Sequence, residues 1–185
     1  MAFNVLIFNK ALSLLTLAGQ IFIVAIIIFL IKYKNDKNSS AQMQFLAKHS
    51  IALSFFIALA STIGSLLYSE VMGFQPCVLC WYQRIFIYPQ VTLLGLALWK
   101  KDRGVSLYSI ALAIVSGSIG AYQYYGQMFN PSVLPCGVIG LTPACSQRFI
   151  VEFGYITIPM MSITASAMII VLMLANKWHN AEGAQ

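Results

Sequence analysis

The chain has 185 residues, 59% of them hydrophobic and 9% charged, with a formal net charge of +6. Soluble domains carry about 25% charge, so an ordinary globular domain is excluded and a polytopic membrane protein built as one compact helical domain is expected. The positive balance does not mark a nucleic-acid binder, because the basic residues flank apolar runs instead of forming a patch interleaved with aromatic or polar readers.

Five apolar stretches approach the roughly 17 to 25 residues that a spanning helix needs. They cover about 11–31, 51–68, 85–99, 106–125 and 156–175. The first reads as a retained helix and not as a secretory signal: its apolar core is too long, its basic start is weak, and no small-residue cleavage site precedes Lys32. A polar stretch over 34–44 then makes a short connection. Ser61, Gly64 and Ser65 in the second stretch, and Ser116, Gly117, Ser118 and Gly120 in the fourth, read as small faces for close helix packing. The third stretch is the shortest, and its helix spans only if it begins earlier, near 77–81.

Basic loops stay cytoplasmic. Lys32, Lys34, Lys37, Lys48, Lys100, Lys101, Arg103 and Lys177 fall on one side of the bundle, against Lys10, Arg84 and Arg148 on the other. This split predicts the N-terminus outside and the C-terminus inside. Tyr68, Trp81, Trp99, Tyr108, Tyr122, Tyr124, Tyr125, Tyr155 and Trp178 fall where an interfacial aromatic belt is expected. His49 and His179 read as solvated loop residues on the cytoplasmic side.

All four cysteines then face outward, Cys77 and Cys80 in the first outer loop and Cys136 and Cys145 in the second. Disulfides persist on that side of a bacterial membrane, so an even number of thiols there argues for disulfide chemistry. Cys77 and Cys80 follow Pro76 into a helix, whose N-terminus favours a thiolate through its partial positive charge and unpaired N–H groups. Arg84 lies four residues after Cys80, one helical turn along the same face, where a guanidinium would hold the Cys80 sulfur ionised. Cys136 and Cys145 occupy a loop of about 30 residues broken by Pro131, Pro135, Gly137, Gly140 and Pro143, a length unusual outside functional loops. A disulfide closing these two would make a small exposed ring open to attack. The following "SQRFIVEFGYITIP" mixes apolar and charged residues, as a segment lying on the membrane surface would.

Other readings fit less well. Purely structural staples are disfavoured because Cys-x-x-Cys closes a strained, reducible ring, and a four-cysteine zinc site because the second pair is too widely spaced. Arg84 alone could be a snorkelling interface residue; its register with Cys80 argues otherwise.

"CVLCWYQR" at the outer end of a helix, followed by two more helices and an outer loop bearing "PCGVIGLTPAC", resembles the DsbB family of disulfide-forming quinone reductases, and its short second spacing resembles the compact-loop BdbC type. The resemblance covers about 45–175. It implies an all-α integral membrane fold: a bundle of five transmembrane helices, the family's four plus an extra N-terminal one, with an outer loop bearing a short interfacial helix. The implied organisation is an extra helix and its connection over 1–44, a four-helix membrane domain over 45–176 and a cytoplasmic tail over 177–185. It further implies a thiol:quinone oxidoreductase of the bacterial cytoplasmic membrane that reoxidises a DsbA-like thioredoxin-fold protein and reduces ubiquinone or menaquinone. Cys136 and Cys145 would exchange with that partner, Cys136 being attacked first. Cys77 and Cys80 would face the quinone, with Arg84 supporting Cys80. Some members carry a histidine near the quinone; the corresponding region here is "GAYQYYGQ", so Gln123 or Gln127 would serve. The vitamin K epoxide reductase-like family is a poorer match, because its Cys-x-x-Cys follows the loop pair instead of preceding it. A rival of another class is a membrane assembly or scaffold protein whose disulfides only brace its loops.

Overall fold

The computed structural model describes residues 5–35, 40–102, 104–134 and 145–182. Five long helices account for most of these: α1 (Val5–Asn35), α2 (Ser40–Leu66), α3 (Val78–Lys100), α4 (Ser106–Met128) and α5 (Ile158–Glu182). By length and apolarity, α1, α2 and α5 each contain a membrane span. α3 and α4 are less apolar because they carry Gln83, Arg84 and Gln90, and a run of Ser, Gly and Tyr, respectively. Each has 23 residues, about 34 Å at the helical rise, enough for a hydrocarbon layer of roughly 30 Å. The chain is an all-α membrane protein.

Helix ends follow local chemistry. α3 begins at Val78, as the shortness of its apolar run demands, with Cys77 in extended conformation at its N-cap and Trp81 N–H bonded to the Cys77 carbonyl at 3.1 Å. At its other end Lys101 turns left-handed (φ 54°), and Asp102 N–H closes on the Ala97 carbonyl, the pattern that terminates many helices. α2 runs on through a π-helical turn, Leu67–Val71, a local widening common near functional sites.

The helices alternate in direction. α5 is central and touches the other four. One apolar core joins Ile51 and Ala58 of α2, Leu94 of α3, Ala113 of α4 and Ile169 and Met173 of α5. A second joins Ile26 and Leu30 of α1 to Met43, Leu172 and Ala175. The small-residue reading of α4 holds where helices cross: a methyl on Gly117 would meet Ser166 at 3.3 Å, and one on Gly120 would meet Ile163 at 3.1 Å and Gln83 Oε1 at 3.2 Å. It fails in α2. A methyl on Gly64 would meet nothing within 4 Å, and Ser65 is a hydrogen-bonding hub described below.

Three further expectations change. In the loop between α4 and α5 the helix described is a single 3-10 turn, Pro131–Val133, while the segment after Cys145 forms a tight turn bridged by paired hydrogen bonds of 2.9 Å between Glu152 and Ile156. Phe153 (φ 52°) and Gly154 (φ 78°) sit left-handed at its tip, where glycine is unstrained. Within it Ile150 is buried, while Val151 and Phe153 point outward. Trp81, Trp99, Tyr108, Tyr122, Tyr125 and Trp178 are exposed as a belt requires, but Tyr68 is buried and donates to Asn9 Oδ1 at 3.1 Å. His49 lies inside α2, its Nδ1 2.8 Å from the Phe45 carbonyl. Arg103 and Cys136 lie outside the described residues.

Candidate active site

Cys77 and Cys80 are thiols, with Sγ atoms 3.3 Å apart and Cys77 donating. The Pro76–Cys77 entry into α3 places both sulfurs at the helix N-terminus, one at the N-cap and one in the first turn. Opposite them, Gln123 of α4 straddles the pair: its Nε2 lies 3.3 Å from Cys77 Sγ and 3.4 Å from Cys80 Sγ. Gln83, one turn beyond Cys80, donates to Gln123 Oε1 at 2.7 Å. That bond occupies the amide oxygen and turns the amide nitrogen toward sulfur. Gly120 allows α3, α4 and α5 to come close enough for this contact.

The convergence on Cys80 of a thiol S–H, an amide N–H and a helix N-terminus suits a sulfur carrying negative charge. Cys77, outside the helix, is pushed up from the ordinary cysteine range, first because its S–H is committed to Cys80 and then by burial. Interhelical hydrogen bonds in membranes contribute only about 0.6 kcal/mol on average. The Gln83–Gln123–sulfur chain therefore matters more for orienting groups than for holding the bundle together.

Arg84 is 9% exposed, and its hydrogen bonds go to α2 instead of to sulfur. Nε donates to Ser65 Oγ and Nη2 to the Ser65 carbonyl, both at 2.9 Å. Tyr88 also donates to Ser65 Oγ at 3.2 Å, and the guanidinium lies 5.1 Å from the Trp81 ring centroid. The expected contact with Cys80 is thus through space, with Ser65 fixing where the charge sits. Gln127 does not share the work of Gln123: its Nε2 donates to the carbonyls of Cys145 and Gln147 at 3.0 and 3.2 Å, pinning the α4–α5 loop to α4.

Cys145 is disulfide-bonded; its expected partner, Cys136, lies outside the described residues. Cys145 is buried in one apolar cluster with Cys77, Leu79 and Leu134, so a sulfur of the second pair shares a core with the first. On the other side, Cys80 lines a cavity of about 600 Å³ between α1, α2, α3 and α5. Its polar end is formed by Cys80, Gln83, Arg84, Gln123 and Ser65, and the rest is mostly apolar, with Thr16, Ser61, Ser162 and Thr164 interspersed.

Ser65 and Gln83 were missed by sequence reasoning. Gln83 carried a usable signal, standing three residues from Cys80 and hence on its face. Ser65 carried none, since nothing in a small-residue stripe tells a packing serine from an acceptor.

A Cys-x-x-Cys clustered with a disulfide-bonded Cys145 in an all-α membrane bundle defines a membrane thiol–disulfide protein. The family model for "Disulfide bond formation protein DsbB" matches residues 47–176. The chain is 36% identical over 135 residues to "Probable disulfide formation protein C 2" of Bacillus anthracis, covering 73% of this chain and 95% of the relative. It is 39% identical over 131 residues to "Disulfide bond formation protein C" of Bacillus subtilis (70% and 93%), and 39% identical over 124 residues to "Probable disulfide formation protein" of Coxiella burnetii (66% and 84%). No solved structure matches it. This chain belongs to the DsbB family of disulfide bond formation proteins. α1 precedes the matched region.

Proposed function

We propose that this protein is a thiol:quinone oxidoreductase that reoxidises a thioredoxin-fold dithiol partner of DsbA type, with its cysteine end on the extracytoplasmic face. The observation that carries the reading is the position of the Cys77–Cys80 pair: Cys77 shares a buried cluster with Cys145, and Cys80 lines the cavity. The basic residues clustered at the opposite end support the orientation.

Exchange runs in series. A partner thiolate attacks Cys136, forming a mixed disulfide and releasing Cys145 as a thiolate. Cys145 attacks the Cys77–Cys80 disulfide at Cys77, and Cys80 leaves as a thiolate. The second partner thiol resolves the mixed disulfide, so the partner leaves oxidised. Attack by Cys136 on the Cys145–Cys77 bond then restores the loop disulfide and leaves Cys77 and Cys80 holding the electron pair. Arg84 supplies fixed positive charge near Cys80, and Gln123 holds both sulfurs in register.

The cavity fits a quinone, ubiquinone or menaquinone: its donors, Arg84, Gln83 and Gln123, cluster beside Cys80, and its remaining walls are mostly apolar. The bound group would accept two electrons and two protons per turnover. Anaerobic mixing of the oxidised protein with a reduced thioredoxin-fold partner and excess quinone, following quinone absorbance and partner thiols together, tests the reading. Loss of one quinone for every two partner thiols is expected. No quinone loss with either quinone type would overturn it.

A further inference from the structure

α1 is fastened to the bundle at three places and separated from α2 between them. Near the cysteine end, Asn9 accepts from Tyr68 and Phe8 packs edge-on against the Tyr68 ring. In the middle it leans on α5: a methyl on Gly19 would come within 2.8 Å of Met168 Sδ, Gln20 donates to Thr164 at 3.3 Å, and Tyr155 donates to Gln20 Oε1 at 2.8 Å. At the far end Ile26 and Leu30 join Met43 of α2 in the second core.

Between these fastenings α1 and α2 diverge around the cavity that reaches Cys80. Leu15 of α1 and Phe56 of α2 line that cavity, yet each is 62% exposed, and Phe22 beside them is 36% exposed. A side chain that both lines a cavity and faces the lipid side marks a mouth. Phe56 lies nine residues from Ser65 along α2, about 14 Å. The mouth therefore lies close to half of the roughly 30 Å hydrocarbon thickness away from the polar end.

We propose that α1 is the lipid-side wall of the quinone site, and that the slot framed by Leu15, Phe22 and Phe56 is the portal through which the isoprenoid tail passes into the bilayer. This rests on the quinone reading above. An amphiphile with a polar redox head and a long apolar tail matches the cavity at both ends. A phospholipid would have to leave its headgroup near the bilayer midplane or bring it to the cysteine end. The extra helix thereby turns an open groove on the bundle surface into a channel that exits at this slot.

The test uses the full chain in lipid nanodiscs with a quinone bearing a photoreactive group at the tail terminus, with labelled peptides mapped after irradiation. Label is expected on 12–22 and 53–57. In parallel, Leu15→Trp, a change at an exposed position, is expected to raise KM for long-tailed quinone by roughly tenfold while kcat and KM for a tail-less analogue stay unchanged. Label confined to α3, α4 and α5 while quinone is still reduced would overturn the portal and leave the quinone reading standing. So would a co-purifying phospholipid in the slot that excess quinone does not displace. Neither label nor quinone reduction in the wild type would remove both.

Discussion

The two ends of the bundle use the same kinds of residue differently. At the end away from the cysteines, buried polar groups mostly pair with one another: Asn176 donates to Ser50 at 2.8 Å and to the Ala47 carbonyl at 3.1 Å and accepts from Ser106 at 3.3 Å, while Ser109 donates to Gln90 Oε1 at 2.7 Å and leaves only the Gln90 amide nitrogen of this set without a partner among the described residues. At the cysteine end, Gln83, Gln123 and Arg84 are equally buried, but their network includes two thiols and borders a cavity. The comparison teaches that burial of a polar residue in a membrane bundle does not by itself mark function. What separates the ends is whether the donors close on each other or on a reactive atom beside open space.

Substitutions can break that distinction. The largest effect is expected from Cys80→Ser, which removes the sulfur lining the cavity: quinone reduction should fall to background while the purified protein keeps its helical circular dichroism. Unaltered turnover would put the cysteine end on the same structural footing as the other.

Arg84→Gln comes next. Hydrogen bonds made by charged groups contribute about 1.5–3 kcal/mol, so quinone reduction should fall about ten- to 100-fold, with exchange between partner and loop cysteines largely intact. Wild-type turnover would mean that Ser65 and Arg84 form a packing pair and nothing more.

Gln123→Leu should reduce turnover by about tenfold, the equivalent of 1.4 kcal/mol, with little change in melting temperature. A large loss of stability without loss of turnover would reverse the assignment.

At the opposite end Asn176→Ala should cost about 1 kcal/mol of stability, because Ser50 and the Ala47 carbonyl, which still bond each other, lose a second partner. Quinone turnover per folded molecule should not change, and a thermal melt alongside the turnover assay reads both. The smallest effect belongs to Ser109→Ala, about 0.6 kcal/mol, again in stability alone.

Much of this was legible because membranes enforce helices: a run of spanning length and a break in it are both visible in residues 51–68 and 85–99. The start of α3 at Val78 followed from the same arithmetic, and the Cys77–Cys80–Arg84 register from helical spacing. What could not be read was which face of each helix turns inward. Lipid is as apolar as a neighbouring helix, so α1 carries no stripe separating wall from exterior. The meeting of Gln83 with Gln123, forty positions apart, depends on that hidden packing. The turn around Gly154 escaped for another reason, since its mixed apolar and charged pattern suits a surface segment in either conformation.

Gly120 has a consequence of its own. The sulfurs, the amide of Gln123 and the first turns of α3 and α5 keep their spacing because one position of α4 has no side chain. A methyl at that crossing would force Ile163 and Gln83 to give by a few tenths of an ångström, whereas Gly64, which lines the cavity, has room for one.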